Sequence, residues 1–423
     1  MLLEQFTLYI VFETICLKNS KRIRKRASAY AAAEYFNFFK VKMLQGLPPP
    51  AEHHHRENGM NEMTPLERAT AIAQGREADR LPCNPNVANG AARIYGCRIS
   101  QFNTEPKTLA EAQIASYRRF RYDGVRIFTD LFAWAEAMGA KVTAPEDHTV
   151  DLAAPAVTGI AGIDALRPAD PRKDGRLPVH LKAMEYLMDA LEGEVGCSAG
   201  IVGPFTNAFF LFGVDDSFRL MRKNPQAFHK LCRLSLETCL AYADEALNRG
   251  LSPTISEPLS SCTVVAPAAF REFSLPYLKE LVNFIKSRGK SPLIHICGET
   301  KFIWNDIADL GVGGFSVDNV VNLKNCRETI GHKTKILGHV DPAGVMYAGT
   351  VNDVRRKTLE CILDAYNAPK GYVVMSGCSL PVETPPENID AMMNVVREVG
   401  YPVAPDKVRE MVERAAAKDD GNA

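Results

Sequence analysis

The run NPQAFHKLCRLSLETCLAYADEALNRG, Asn224–Gly250, is followed at once by LSPTIS, Leu251–Ser256. The first part places apolar residues at helical spacing and stops at a glycine; the second is too short for a helix and reads as a strand. The same pair recurs immediately, with PAAFREFSLPYLKELVNFIKSRGK at Pro267–Lys290 and then Pro292–Ile296. Working outward, further short runs fall at Leu81–Val87, Gly124–Phe128, Ala199–Gly203, Gly314–Val317, Lys335–His339 and Tyr372–Met375. With Pro253–Ser256 and Pro292–Ile296 they make eight strands alternating with helices, which predicts an α/β chain folded as a (β/α)8 TIM barrel over residues 63–410. A doubly wound sheet would need a glycine-rich phosphate turn after an early strand. Here the first strand runs into NPNVANGAARIYG, which contains no GxGxxG, and no GxxxxGK[ST] occurs.

The termini read differently. MLLEQFTLYIVFETICLKNSKRIRKRASAYAAAEYF puts an apolar opening before a basic cluster, the reverse of a secretory signal, and Glu4 and Glu13 interrupt it. A Pro-rich linker with His53–His55 follows, best read as solvated because nothing fixes the three rings. Residues 1–62 are expected to be a disordered extension or a misassigned start, and 411–423 a polar tail. The barrel begins at Met63, where Thr64, Pro65 and Glu67 form a capping-box pattern.

The 50 basic residues balance 50 acidic ones, which removes the usual electrostatic argument for nucleic acid or an anionic membrane. No uninterrupted apolar run is long enough to span a bilayer. Eleven irregularly spaced cysteines, an odd number, argue for mostly buried thiols in a reducing cytoplasm.

In a TIM barrel the working residues sit where strands end. Those ends carry Asn86, Asp130, Gly203-Pro204, Glu257, His295, Cys297, Asp318, Asp341 and Ser376-Gly377-Cys378. In an extended segment residues two apart point to the same side, so His295 and Cys297 of LIHICG can reach one ion. Cys378 closes the last strand, and one imidazole with two thiolates would form an open site suited to zinc rather than magnesium or manganese. The pattern alone leaves ligation and ordinary strand-end packing both open.

HICG after a strand, followed far along the chain by SGCSLPVETPPENIDAM, resembles the methylcobamide-dependent methyltransferase branch of the uroporphyrinogen decarboxylase superfamily. MTPLERATAIAQGREADRLP, VGPFTNAFFLFG, SPTISEPLSS, VAPAAFREFSLPYLKEL and LGHVDP extend the resemblance over residues 63–402. It implies that His295, Cys297 and Cys378 bind a catalytic Zn2+. It also implies methyl transfer between a methylcobalamin corrinoid and a thiol such as coenzyme M, or another small acceptor or donor, in one-carbon metabolism. Nothing in the motif sets the direction of transfer.

Glu257 and Glu299 are candidates for a fourth zinc ligand. Asn207, with Thr206, is expected to line the pocket, and Asp318 and Asp341 to orient ligands or contact the corrinoid; capping a helix is the commoner use of such an Asp. His339 is expected in the core. The chain lacks DxHxxG, so the corrinoid should arrive on a separate carrier protein, with this chain a monomer or homodimer. Two rival readings remain: a uroporphyrinogen decarboxylase, and a non-catalytic zinc- or corrinoid-binding protein. Decarboxylases carry an Arg-rich turn resembling MRQAGR after the first strand, where this chain has only Arg93. Structural zinc sites usually have four protein ligands.

Overall fold

The computed structural model describes residues 62–420. The extension expected before Met63, with its three histidines, and residues 421–423 therefore lie outside the described residues, Glu62 aside. Nine strands follow in chain order: β1 Val125–Ile127, β2 Lys141–Thr143, β3 Asp151–Ala154, β4 Cys197–Val202, β5 Ser252–Ser256, β6 Leu293–Ile296, β7 Gly314–Val317, β8 Lys335–Val340 and β9 Tyr372–Ser376. Seven pair in parallel in the order β1-β4-β5-β6-β7-β8-β9, with helices between them, and form the TIM barrel. β2 and β3 form a separate antiparallel hairpin after β1 that the periodicity did not announce.

The strand expected at Leu81–Val87 is reduced to a single bridge from Cys83 to Val374. The amide of Asn84 donates to Val374 and that of Val374 to Pro82, while on the other flank the Asp123 amide donates to Cys83. These bonds seat residues 82–84 between β9 and β1. Pro82 and Pro85 have no amide hydrogen, so a longer ladder cannot form there. Side chains compensate: Arg80 reaches Asp123 at 2.6 Å, and the same carboxylate accepts the Cys83 amide at 2.7 Å. Arg68 joins this buried group through Asp79 and Asp123.

The helix expected over 224–250 spans Pro225–Asn248, and the Asn224 side chain caps it by accepting from the Ala227 amide. Phe228, Leu231, Cys232, Leu236, Cys239, Tyr242, Ala243 and Ala246 form its buried stripe, at the spacing one helical face requires. The next helix is less regular. Pro267–Ala269 leads into a wide π-turn at Phe270–Ser274 before Leu275–Ser287. Pro276 cannot donate to a carbonyl four residues back, and the wide turn absorbs the missing bond.

The Thr64–Glu67 capping box forms as expected, with its two bonds at 3.2 and 2.8 Å. A helix at Pro405–Asp420 runs through the expected boundary at 410, with Val408 and Ala415 buried. The polar stretch from 411 begins as part of this helix. Among the described residues no helix is long and apolar enough to cross a membrane.

Candidate metal centre

β6 alternates: Ile294 and Ile296 are fully buried, while His295 turns to the other face. Cys297 follows on the same side, and Gly298 then turns the chain at φ +70°. A Cβ at Gly298 would stand 2.6 Å from Ser261 Oγ and 2.7 Å from Thr263 Oγ1, so the turn packs too closely for any side chain. Its amide donates to Asp318 Oδ2 at 2.7 Å, which ties the loop after β6 to the end of β7.

Cys378 arrives from β9 in an equally tight turn. Gly377 donates its amide to Val340 at 2.8 Å, and a Cβ there would meet the Asn319 amide nitrogen at 2.6 Å. Ser376 Oγ donates to the Cys378 carbonyl at 2.7 Å and accepts from the Asn86 amide at 3.1 Å.

The result is a three-donor cluster. His295 Nε2 lies 3.1 Å from Cys297 Sγ, and the two sulfurs are 3.7 Å apart. All three donor atoms lie within 4.8 Å of one another. The other face of the imidazole is fixed by β7, whose register sets Ser316 opposite His295. His295 Nδ1 is 3.0 Å from Ser316 Oγ and 3.2 Å from its carbonyl oxygen. A carbonyl only accepts, so Nδ1 carries the hydrogen and Nε2 turns toward the sulfurs.

The electrostatics match. The thiol of Cys297 holds Cys378 well below the ordinary thiol range, against burial and with help from His295. Cys297 is pushed up by that same sharing and by burial. For His295, burial disfavours the charged ring, but Cys378 outweighs it and the net direction is up. Close sulfurs and an oriented imidazole nitrogen form a soft donor set that fits a thiophilic divalent cation such as zinc.

The remaining expected residues divide. Asp318 reaches the site through Gly298, and burial raises its pKa. Asp341 caps its own helix instead, accepting from the Ala343 and Gly344 amides at 2.9 Å each. Asn207 does not line the pocket: it is buried between helices, donating to Ser235 Oγ and facing Met138 Sδ. Thr206 faces Glu257.

Glu257 stays outside the three-donor group. Its Oε1 accepts the Thr206 amide at 2.5 Å, at the start of the helix Pro204–Phe212, and burial pushes its pKa up to about 7. A Cβ at Gly203 would lie 1.7 Å from Glu257 Oε2, so only glycine leaves room for that carboxyl. Glu299 caps the amides of Thr300 and Lys301. His339 sits in the core, its Nε2 on the Val321 carbonyl. Asp130 is held by Arg176 at 2.6 Å.

Two residues escaped the sequence reading. Ser316 was hidden because a serine in an apolar strand has no motif. Arg126 had a signal, a lone charge inside the apolar run GVRIF. It lines a cavity of about 80 Å³ with Asn86, Phe128, His295, Ser316 and Met375, just inside the donor cluster. Burial lowers its pKa to about 10, which leaves it charged at neutral pH.

A parallel barrel with two cysteine sulfurs and an imidazole at the C-terminal ends of its strands defines the class. Residues 64–399 match the family described as uroporphyrinogen decarboxylase (URO-D), and the chain belongs to that family. Among relatives, it is 27% identical over 347 residues to the methylated-thiol–coenzyme M methyltransferase of Methanosarcina mazei, covering 81% of this chain and 92% of that one. It is 25% identical to the methylcobamide:CoM methyltransferase MtaA of Methanosarcina barkeri, covering 79% and 98%. A uroporphyrinogen decarboxylase of Pseudoalteromonas atlantica is 23% identical over 68% of this chain and 82% of its own. A solved methyltransferase from Methanosarcina mazei shares the fold, with a TM-score of 0.71 at 23% identity over 80% of this chain and 99% of that one.

Proposed function

We propose that the protein is a zinc-dependent methyltransferase that moves a methyl group between a corrinoid on a separate carrier protein and a small thiol such as coenzyme M. The observation that carries this reading is the His295–Cys297–Cys378 cluster at the mouth of the barrel, three donor atoms within 4.8 Å of one another. The names of the two Methanosarcina relatives support it. Zinc held by three protein ligands keeps a position for a further donor and holds a bound thiol as thiolate at neutral pH.

The chain's own residues do the rest. Ser316 aims the imidazole, while Gly298 and Gly377 let the two cysteine turns approach closely enough to share one ion. Asp318 holds the loop after Cys297 in register with β7. A corrinoid presented at the strand ends would face the sulfur of a thiol held there. The reducing cytoplasm is the compartment in which ten unpaired cysteines among the described residues are stable.

The decarboxylase reading has less support, since Arg93 is engaged in a surface ion pair with Glu383. Metal analysis of wild type and Cys378→Ala, with spectrophotometric demethylation of methylcobalamin against a panel of acceptors, tests the proposal. Stoichiometric zinc in wild type, lost in the variant, with thiol-dependent demethylation, is expected. Wild-type protein without zinc would defeat it; zinc without demethylation by any acceptor would defeat the thiol-acceptor role.

A further inference from the structure

We infer that Arg126 reads an anionic group on the substrate, so that the thiol or thioether handled at the donor cluster carries a sulfonate or carboxylate at its other end. This deepens the proposed function and rests on it for the sulfur end alone.

Arg126 lies in β1 between Val125 and Ile127, both buried, and its side chain lines the same cavity as His295 and Ser316. One guanidinium nitrogen donates to Asn86 Oδ1 at 3.0 Å, and the guanidinium carbon stands 5.0 Å from the centre of the Phe128 ring. A guanidinium has five N–H donors, and the bond to Asn86 occupies one of them.

The contrast with the buried arginines is direct. Arg68 pairs with Asp79 and Asp123, Arg80 with Asp123, and Arg176 with Asp130 and Glu136. Arg126, unlike those three, is only partly buried, and no carboxylate pairs with it among the described residues. A small anion supplies what the protein does not, through charge-assisted hydrogen bonds. The cavity's size suits a molecule of a few heavy atoms lying between Arg126 and His295.

The test uses the full-length, zinc-loaded protein as wild type, Arg126→Gln and Arg126→Lys. With methylcobalamin as donor, KM is compared for 2-mercaptoethanesulfonate, 3-mercaptopropionate and the neutral 2-mercaptoethanol. Removing one charge-assisted anchor is expected to raise KM for the favoured anionic thiol by about tenfold or more, leave the neutral thiol within about twofold, and be partly rescued in Arg126→Lys. The larger effect, on sulfonate or on carboxylate, identifies the anion. In parallel, calorimetry with ethanesulfonate and with propionate, which carry no sulfur nucleophile, should show binding to wild type that Arg126→Gln loses. Equal KM changes for charged and neutral thiols, or anion binding unchanged in Arg126→Gln, overturns the inference. If wild type methylates no thiol, the methyl-transfer reading falls, while the calorimetric arm still decides the role of Arg126.

Discussion

Ser316 acts on the donor cluster through the imidazole it orients, since its hydroxyl and carbonyl both face His295 Nδ1. Ser316→Ala keeps the carbonyl and loses the hydroxyl. Its zinc affinity, measured by chelator competition, is therefore expected to fall by about tenfold, the lower end of what outer partners of metal-binding histidines contribute. An unchanged affinity would show that the carbonyl alone fixes the ring. His295, Cys297 and Cys378 stood out in the sequence because few residue types ligate zinc and the HxC spacing puts two of them on one face. Asn207, Asp341 and Glu257 were harder to read. A polar residue at a strand end serves equally as ligand, cap or buried bridge, and only its neighbours decide which.

Elements carry their own chemistry. The helix Leu177–Leu191 buries His180, whose ring meets Thr129 Oγ1 at 2.9 Å and Tyr242 OH at 3.3 Å. Burial lowers its pKa from 6.5 to about 4, with Arg176 adding to the effect and Asp130 opposing it. The folded state thus keeps His180 neutral where the unfolded chain would protonate it. Its contribution is fully present above about pH 6.5 and is lost as the pH falls toward 4, on the order of 3 kcal/mol in all. Urea unfolding at pH 7 and pH 4.5 should show a smaller acid loss in His180→Gln than in wild type; equal losses would refute the assignment. At this scale the Thr64 box and the Asn224 cap were legible because capping is local. The π-turn before Pro276 was not, because a proline in a helical pattern admits several backbone solutions and packing selects among them.

At the scale of the molecule, the described residues from Met63 onward form one compact unit. Its first residue is already anchored, the Met63 amide donating to Asp79 and its carbonyl accepting from Arg68. A chain beginning at Met60 keeps both bonds. It is expected to melt within about 2 °C of the full-length protein, a shift worth about 1.5 kcal/mol at this size, and to bind the same amount of zinc. A large loss of melting temperature would show that the preceding residues support the barrel.

The alternation of helical and extended periods specified the barrel, because it is a property of neighbours along the chain, while residue type and the HxC spacing offered His295, Cys297 and Cys378 only as candidate donors that the family resemblance singled out. Tertiary structure alone closed the barrel through the proline-limited segment at 82–84, drew Glu257 and Asn207 into buried bonds away from the His295–Cys297–Cys378 cluster, and left Arg126 lining a cavity without a carboxylate partner. Those outcomes depend on which groups meet across the fold. A polar side chain's role is set by the partner that satisfies it, and no local pattern names that partner.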